Sequence, residues 1–287
     1  MNPRGVRPLA AAGDAAVFGS KAANLSTALC GGLPVPDGIV LDSDLVARIA
    51  TEYSDHNQPE DSRPVGDDVL SWLAAVTAGW GALLAVRSSG LDEDGPAASF
   101  AGQHVTRLGV RATAGALHAA VNAVHESAVA PHALAYRDHL GLNHSPGVAV
   151  LVQPLVAADV SGVMFTVDPV TGVDELVVEA SWGLGESVVG GLVTPDSYRI
   201  GPDGSVRDRR FGRKSVSITP VDGGGTEERS VDPARARDPC LDDGGLGALW
   251  ELAAQCQGVF GEMPLDIEWA FAGGRLHLLQ CRQVTAR

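Results

Sequence analysis

Four side chains near the end of the sequence could hold a metal ion together with polyphosphate oxygens. They are Asp266 and Glu268, followed by Gln280 and Arg282. Carboxylate and amide oxygens suit a hard divalent cation, and a guanidinium suits a phosphate. Both pairs lie in apolar runs, Asp266–Phe271 and Leu276–Arg282, with Gly273-Gly274 between them, the pattern of a β-hairpin. Side chains alternate faces along a strand, so each pair shares a face. A three-residue loop, Gly273–Arg275, sets Glu268 opposite Gln280 and Asp266 opposite Arg282. A two-residue loop is expected to put them on opposite faces. The plainer alternative is an exposed polar face of a hairpin.

Cations that could meet phosphate occur elsewhere. Of 21 basic residues only Lys21 and Lys214 are lysine. In so arginine-rich a chain, a retained lysine marks a candidate position for a compact ammonium rather than a planar fork. Lys21 follows Phe18-Gly19-Ser20, which reads as a glycine turn opening a helix with Ser20 as N-cap. The free N–H groups and positive dipole end of such a helix favour an anion, although the spacing is not that of a P-loop. Arg87 lies in Val86-Arg87-Ser88-Ser89, at the expected end of a short buried strand. It could clamp a phosphate, or pair with Asp92, Glu93 or Asp94 just downstream. The segment Ser99–Thr106 holds Gly102 among small and hydroxyl residues, a loop whose backbone N–H groups could cradle phosphate. Histidines at 118, 125, 132 and 139 recur every seven residues, a drifting helical stripe better suited to a partly exposed face than to a metal site.

Helices and strands must position these groups. Helices are expected over residues 20–30, 67–80, 243–260 and twice within 112–140, with apolar strands at 39–41, 83–87, 147–156 and 160–167. Residues 203–235 read as polar hairpins. Strands and helices mix without βαβ regularity, which predicts an α+β fold with a boundary near residue 155. The 287 residues are 45% hydrophobic and 20% charged, ordinary for a globular chain. A net charge of −14 argues against nucleic acid as a partner but leaves room for a nucleotide, which needs only local cations. No run approaches the ~20 apolar residues that span a bilayer. Four cysteines lack metal-ligand spacing and fit a reduced, cytoplasmic protein.

The order of the motifs is more specific than any one of them. Gly-Ser-Lys-Ala-Ala-Asn-Leu (19–25), Gly-Leu-Pro-Val-Pro-Asp-Gly (32–38), Val-Arg-Ser-Ser (86–89) and Ser-Phe-Ala-Gly-Gln (99–103) come first. Asp-Val-Ser-Gly-Val-Met-Phe-Thr-Val-Asp-Pro-Val-Thr-Gly (159–172), Glu-Ala-Ser-Trp-Gly-Leu-Gly-Glu (179–186), Val-Thr-Pro-Asp (193–196) and Asp-Ile-Glu-Trp (266–269) follow. Together they closely resemble the nucleotide-binding domain of the phosphoenolpyruvate synthase, pyruvate phosphate dikinase and rifampicin phosphotransferase family, over nearly the whole chain.

That resemblance implies an ATP-grasp fold, with residues 1–155 and 156–287 as two subdomains enclosing ATP and Mg²⁺. It implies Lys21 and Arg87 on the phosphates, Gly102 and Thr106 in the phosphate-covering loop, and Gln153 at the adenine. It implies Glu268 and Gln280 on magnesium and Arg282 on the transferring phosphate. Lys214 matches a Gly-x-Lys stretch without a settled role. Family enzymes add a swivelling domain with a phosphorylated histidine and a separate acceptor domain, and none of the eight histidines here sits in such a motif. The acceptor is therefore expected to be a histidine on a separate partner protein, with AMP and phosphate released. The alternatives are a small molecule phosphorylated directly, a domain cut from a longer enzyme, or a non-catalytic ATP-binding module.

Overall fold

The computed structural model describes residues 2–52, 65–91, 105–131, 133–135 and 147–284. The chain divides into two compact units. Unit 1 comprises Met1–Ser26, Asp37–Leu155 and Asp222–Gly225; unit 2 comprises Thr27–Pro36, Val156–Val221 and Thr226–Arg287.

Unit 1 is built on five antiparallel strands in the order β1-β2-β5-β3-β4. These are β1 (Val6–Pro8), β2 (Ile39–Leu41), β3 (Leu83–Gly90), β4 (Thr106–Arg111) and β5 (Val148–Pro154). One face sends Ile39, Leu41, Leu84, Val86, Val148, Val150 and Val152 into a single core. The core is completed by α2 (Ser43–Glu52), α3 (Val65–Thr77) and α4 (Ala114–Ala128). In α4, Leu117, Ala120, Val121, Val124 and Ala128 repeat at helical spacing and are all buried, while Thr113 caps the helix by accepting from the Ala116 N–H. Because side chains alternate, Ala85, Arg87, Ser89, Ala149, Leu151 and Gln153 belong to the opposite face. Strand β3 runs further than the sequence suggests. Ser88 and Ser89 read as the start of a polar loop, yet both lie within the strand and are fully buried.

The first helix, α1 (Ala15–Cys30), is interrupted at Gly19, whose φ of 76° and ψ of 161° are not helical. The expected Ser20 N-cap is thereby corrected. Gly19 holds the cap position without a side chain, and Ser20 is the first helical residue after the break.

Unit 2 is a six-stranded antiparallel sheet in the order β13-β12-β6-β7-β8-β9, with a separate β10–β11 hairpin. Its strands are β6 (Val160–Phe165), β7 (Leu176–Trp182), β8 (Asp196–Ile200), β9 (Val206–Arg210), β10 (Val216–Pro220), β11 (Thr226–Ser230), β12 (Leu265–Ala272) and β13 (Arg275–Gln283). A short α5 (Glu186–Val189) follows β7, and α6 (Asp243–Phe260) precedes the closing hairpin. One sheet face buries Met164, Val178, Tyr198, Ile267, Trp269 and Cys281. Cys256 of α6 and burial together hold the Cys281 thiol far above its ordinary pKa. Asp242 caps α6, accepting from the Gly245 N–H at 2.7 Å.

The mixture of helices and antiparallel sheets is the expected α+β class. Among the described residues no helix is long and apolar enough to cross a membrane.

Candidate functional site

In unit 2 the closing hairpin brings its four polar residues together by a route the sequence did not suggest. The loop is two residues, with Ala272 paired to Arg275 and Gly273 and Gly274 at φ of 54° and 74°. Positive φ at both central positions is the signature of a type I′ turn, which glycine adopts without strain. A two-residue loop alone would have split the pairs between faces. The register shifts at Glu268/Trp269, however: Glu268 pairs with Gln280 and Trp269 with Leu278, so Leu279 is the extra residue of a β-bulge. The bulge restores the alternation, and Asp266 pairs with Arg282. Of the two alternatives the loop is the two-residue one, and the bulge gives it the facing pairs expected of the three-residue one.

Glu268, Gln280, Asp266 and Arg282 are all half-buried. Arg282 donates from Nε and Nη2 to Asp266 Oδ2, at 2.9 and 2.8 Å. This orients the guanidinium, and Asp266 is the positioning group that a motif-based assignment of Arg282 leaves out. The same sheet face continues across Val163 of β6 to Glu179 of β7, then to Ser197 of β8. Glu179, the first residue of the Glu-Ala-Ser-Trp-Gly-Leu-Gly-Glu segment, reaches this row through the strand order. Glu268 and Gln280 offer hard oxygen donors side by side on paired strands. Magnesium is commonly bound by one or two protein oxygens, the remainder coming from water and phosphate. The donor set fits that cation. No cluster of three or more His, Cys, Asp or Glu able to hold a metal occurs among the described residues, and His132 and His139 lie outside them.

In unit 1, Arg87 and Gln153 lie on the sheet face opposite the helices, and Arg87 Nη1 donates to Gln153 Oε1 at 3.3 Å. Thr106 pairs directly with Arg87 and joins the same face. Arg87 and Gln153 are buried, whereas Thr106 and Lys21 are half-buried. Lys21 stands just after the break in α1. The Ala22 N–H beside it donates to Ser89 Oγ at 2.9 Å, so Ser89 of β3 ties the helix start to the strand that bears Arg87. Gly102 lies outside the described residues, as do Asp92, Glu93 and Asp94.

Lys214 is buried in the interior of unit 2. Its side chain and that of Asp196 have no solvent exposure, and Nζ pairs with Asp196 Oδ1. Asp196 also accepts from the N–H groups of Gly212 and Cys240 at 2.9 Å, from the Cys240 thiol at 3.0 Å and from the Tyr198 hydroxyl at 3.2 Å. Burial, reinforced by the adjacent carboxylate, raises the pKa of both Cys240 and Tyr198 and keeps them protonated as donors. A second buried carboxylate, Asp168, receives Arg199 at 2.5 Å and the N–H groups of Val170 and Thr171. Those contacts, Arg199 first, hold its pKa below the usual carboxylate range.

Residues 63–287 match the family model of the pyruvate phosphate dikinase AMP/ATP-binding domain. The chain belongs to this family. Within the dikinase relatives, a protein named "Probable phosphoenolpyruvate synthase" from Methanothermobacter thermautotrophicus is 33% identical over 95% of this chain and 44% of its own length. Rifampicin phosphotransferase from a Streptomyces species is 37% identical over 77% of this chain and 26% of its own length. The prodigiosin synthesizing transferase PigC of Serratia marcescens is 34% identical over 94% of this chain and 32% of its own. The chain therefore spans less than half the length of each. A solved D-alanine–D-alanine ligase from Bacillus anthracis, complexed with ATP, aligns over 92% of this chain at 9% identity with a TM-score of 0.40. That likeness is too distant to add to the family assignment.

Proposed function

We propose that this dikinase-family domain binds Mg-ATP and passes a phosphoryl group to a histidine on a separate protein. The observation that carries the reading is the bulged hairpin, which lines up Glu268 with Gln280 and Asp266 with Arg282 on one face. Phosphoryl transfer asks a protein chiefly for positioning and charge neutralisation, and these groups supply both. Glu268 and Gln280 would hold Mg²⁺, which when bound neutralises phosphate charge and polarises the phosphoryl oxygens. Arg282, steadied by Asp266, would face the phosphate that is transferred. Lys21 and Arg87 would neutralise the remaining phosphate oxygens, Gly102 and Thr106 would close over them, and Gln153 would meet the adenine. No nucleophilic side chain of this domain is needed, because the attacking atom comes from the acceptor.

Separating the nucleotide products tests the acceptor. ATP incubated with the domain and a histidine-bearing partner is expected to yield AMP, the phosphorylated partner and phosphate, one phosphoryl group going to the histidine and the other to water. ADP as the sole nucleotide product would contradict that route.

A further inference from the structure

We propose that Ser89 is a positioning residue whose hydroxyl sets where Lys21 stands relative to Arg87. The inference rests on the assignment of Lys21 to ATP phosphates and adds the group that places it.

A helix start leaves its first N–H groups without partners inside the helix, and a side chain just before it normally supplies the acceptor. Here that place is taken by Gly19, which has no side chain to offer. The acceptor comes instead from Ser89 Oγ, 67 residues further along, which receives the Ala22 N–H at 2.9 Å. Gly19 makes this contact possible. A Cβ built there would overlap the backbone carbonyl and hydroxyl of Ser89, and its φ of 76° is one that side-chain-bearing residues rarely adopt. The two segments therefore meet backbone to backbone. Ser89 is fully buried, and it lies two positions from Arg87 on the same strand and the same face. Its neighbour Ser88 belongs to the helix-packed face, and its hydroxyl has no hydrogen-bond partner among the described residues. The two serines thus have different tasks, and only Ser89 joins the helix bearing Lys21 to the strand bearing Arg87.

A group acting through Lys21 must lose its effect when the ammonium is gone. The test uses the full chain and compares affinities for Mg-ATP and for adenosine, which has no phosphate for Lys21 to meet. Ser89→Ala is expected to lower the ATP-to-adenosine affinity ratio about tenfold, since small misplacements of a charged group are costly. In a Lys21→Ala background the same change is expected to alter the ratio less than about twofold. Ser89→Thr keeps the acceptor oxygen and should retain the wild-type ratio. Ser89→Cys, nearly isosteric with a far weaker acceptor, carries the same comparison should the alanine variant fail to fold. An equal drop in both backgrounds, or loss of the ratio in Ser89→Thr, would overturn the positioning role while leaving the ATP site intact. An unchanged ratio in Lys21→Ala alone would overturn the phosphate assignment itself, and the inference with it.

Discussion

Glu268→Ala is expected to lower nucleotide turnover by about a thousandfold or more while leaving the melting transition nearly unchanged. A metal ion supplies several kcal/mol of transition-state charge stabilisation, and each ~1.4 kcal/mol is a factor of ten in rate. Glu268 is the carboxylate of the pair with Gln280, so its loss removes the proposed charged ligand and leaves a neutral amide. The fold should tolerate the change because Glu268 is half-buried on the polar face, and the buried side chains of β12 are its neighbours Ile267 and Trp269. Steady-state release of AMP or ADP, read beside a thermal melt, separates the two effects. Retained turnover would remove Glu268 from the metal site, and a collapsed melt would make its role structural.

Lys214→Met should do the opposite, destabilising unit 2 by about 3–5 kcal/mol, the usual consequence of leaving one member of a buried ion pair unpaired. At roughly 2–4 °C per kcal/mol, the melting temperature is expected to fall by ~10 °C. Asp196 would still be held by Gly212, Cys240 and Tyr198, but its charge would have no counter-ion in a fully buried position. Adding Asp196→Asn removes that charge, so the double variant should be more stable than Lys214→Met alone. A single variant that melts like the wild type, or a double variant less stable than the single, would contradict the account of a buried pair.

Local patterns revealed elements better than they revealed partners. The apolar runs at 39–41, 147–156 and 160–167 became β2, β5 and β6 because β-branched residues between turn signals have few other uses. The closing hairpin shows where such reasoning stops. Gly273-Gly274 signals a turn, but the register depends on the sum of the turn and any bulge, and nothing about Leu279 marks it as the extra residue. The right residues face each other through two departures that cancel. The serines after Arg87 misled in another way. Hydroxyls read as loop, yet Ser89 is buried because the start of α1 needs its oxygen, a requirement set 67 residues away. Lys214 stood out by its rarity, but its partner Asp196 is reached only through the fold. The assignments of Lys21, Thr106 and Gln153 came from motif order. The structure adds that Arg87, Thr106 and Gln153 share one sheet face and that Lys21 is tied to the same strand.

The most direct test of the central claim is calorimetric titration of the wild-type chain with ATP, once with excess Mg²⁺ and once with a chelator. Saturable binding of one ATP per chain is expected, at least ~10-fold tighter with the metal, because a cation held between protein oxygens and phosphate links the two affinities. No binding in either condition, or equal affinity in both, would contradict a magnesium-assisted ATP site built around Glu268 and Gln280.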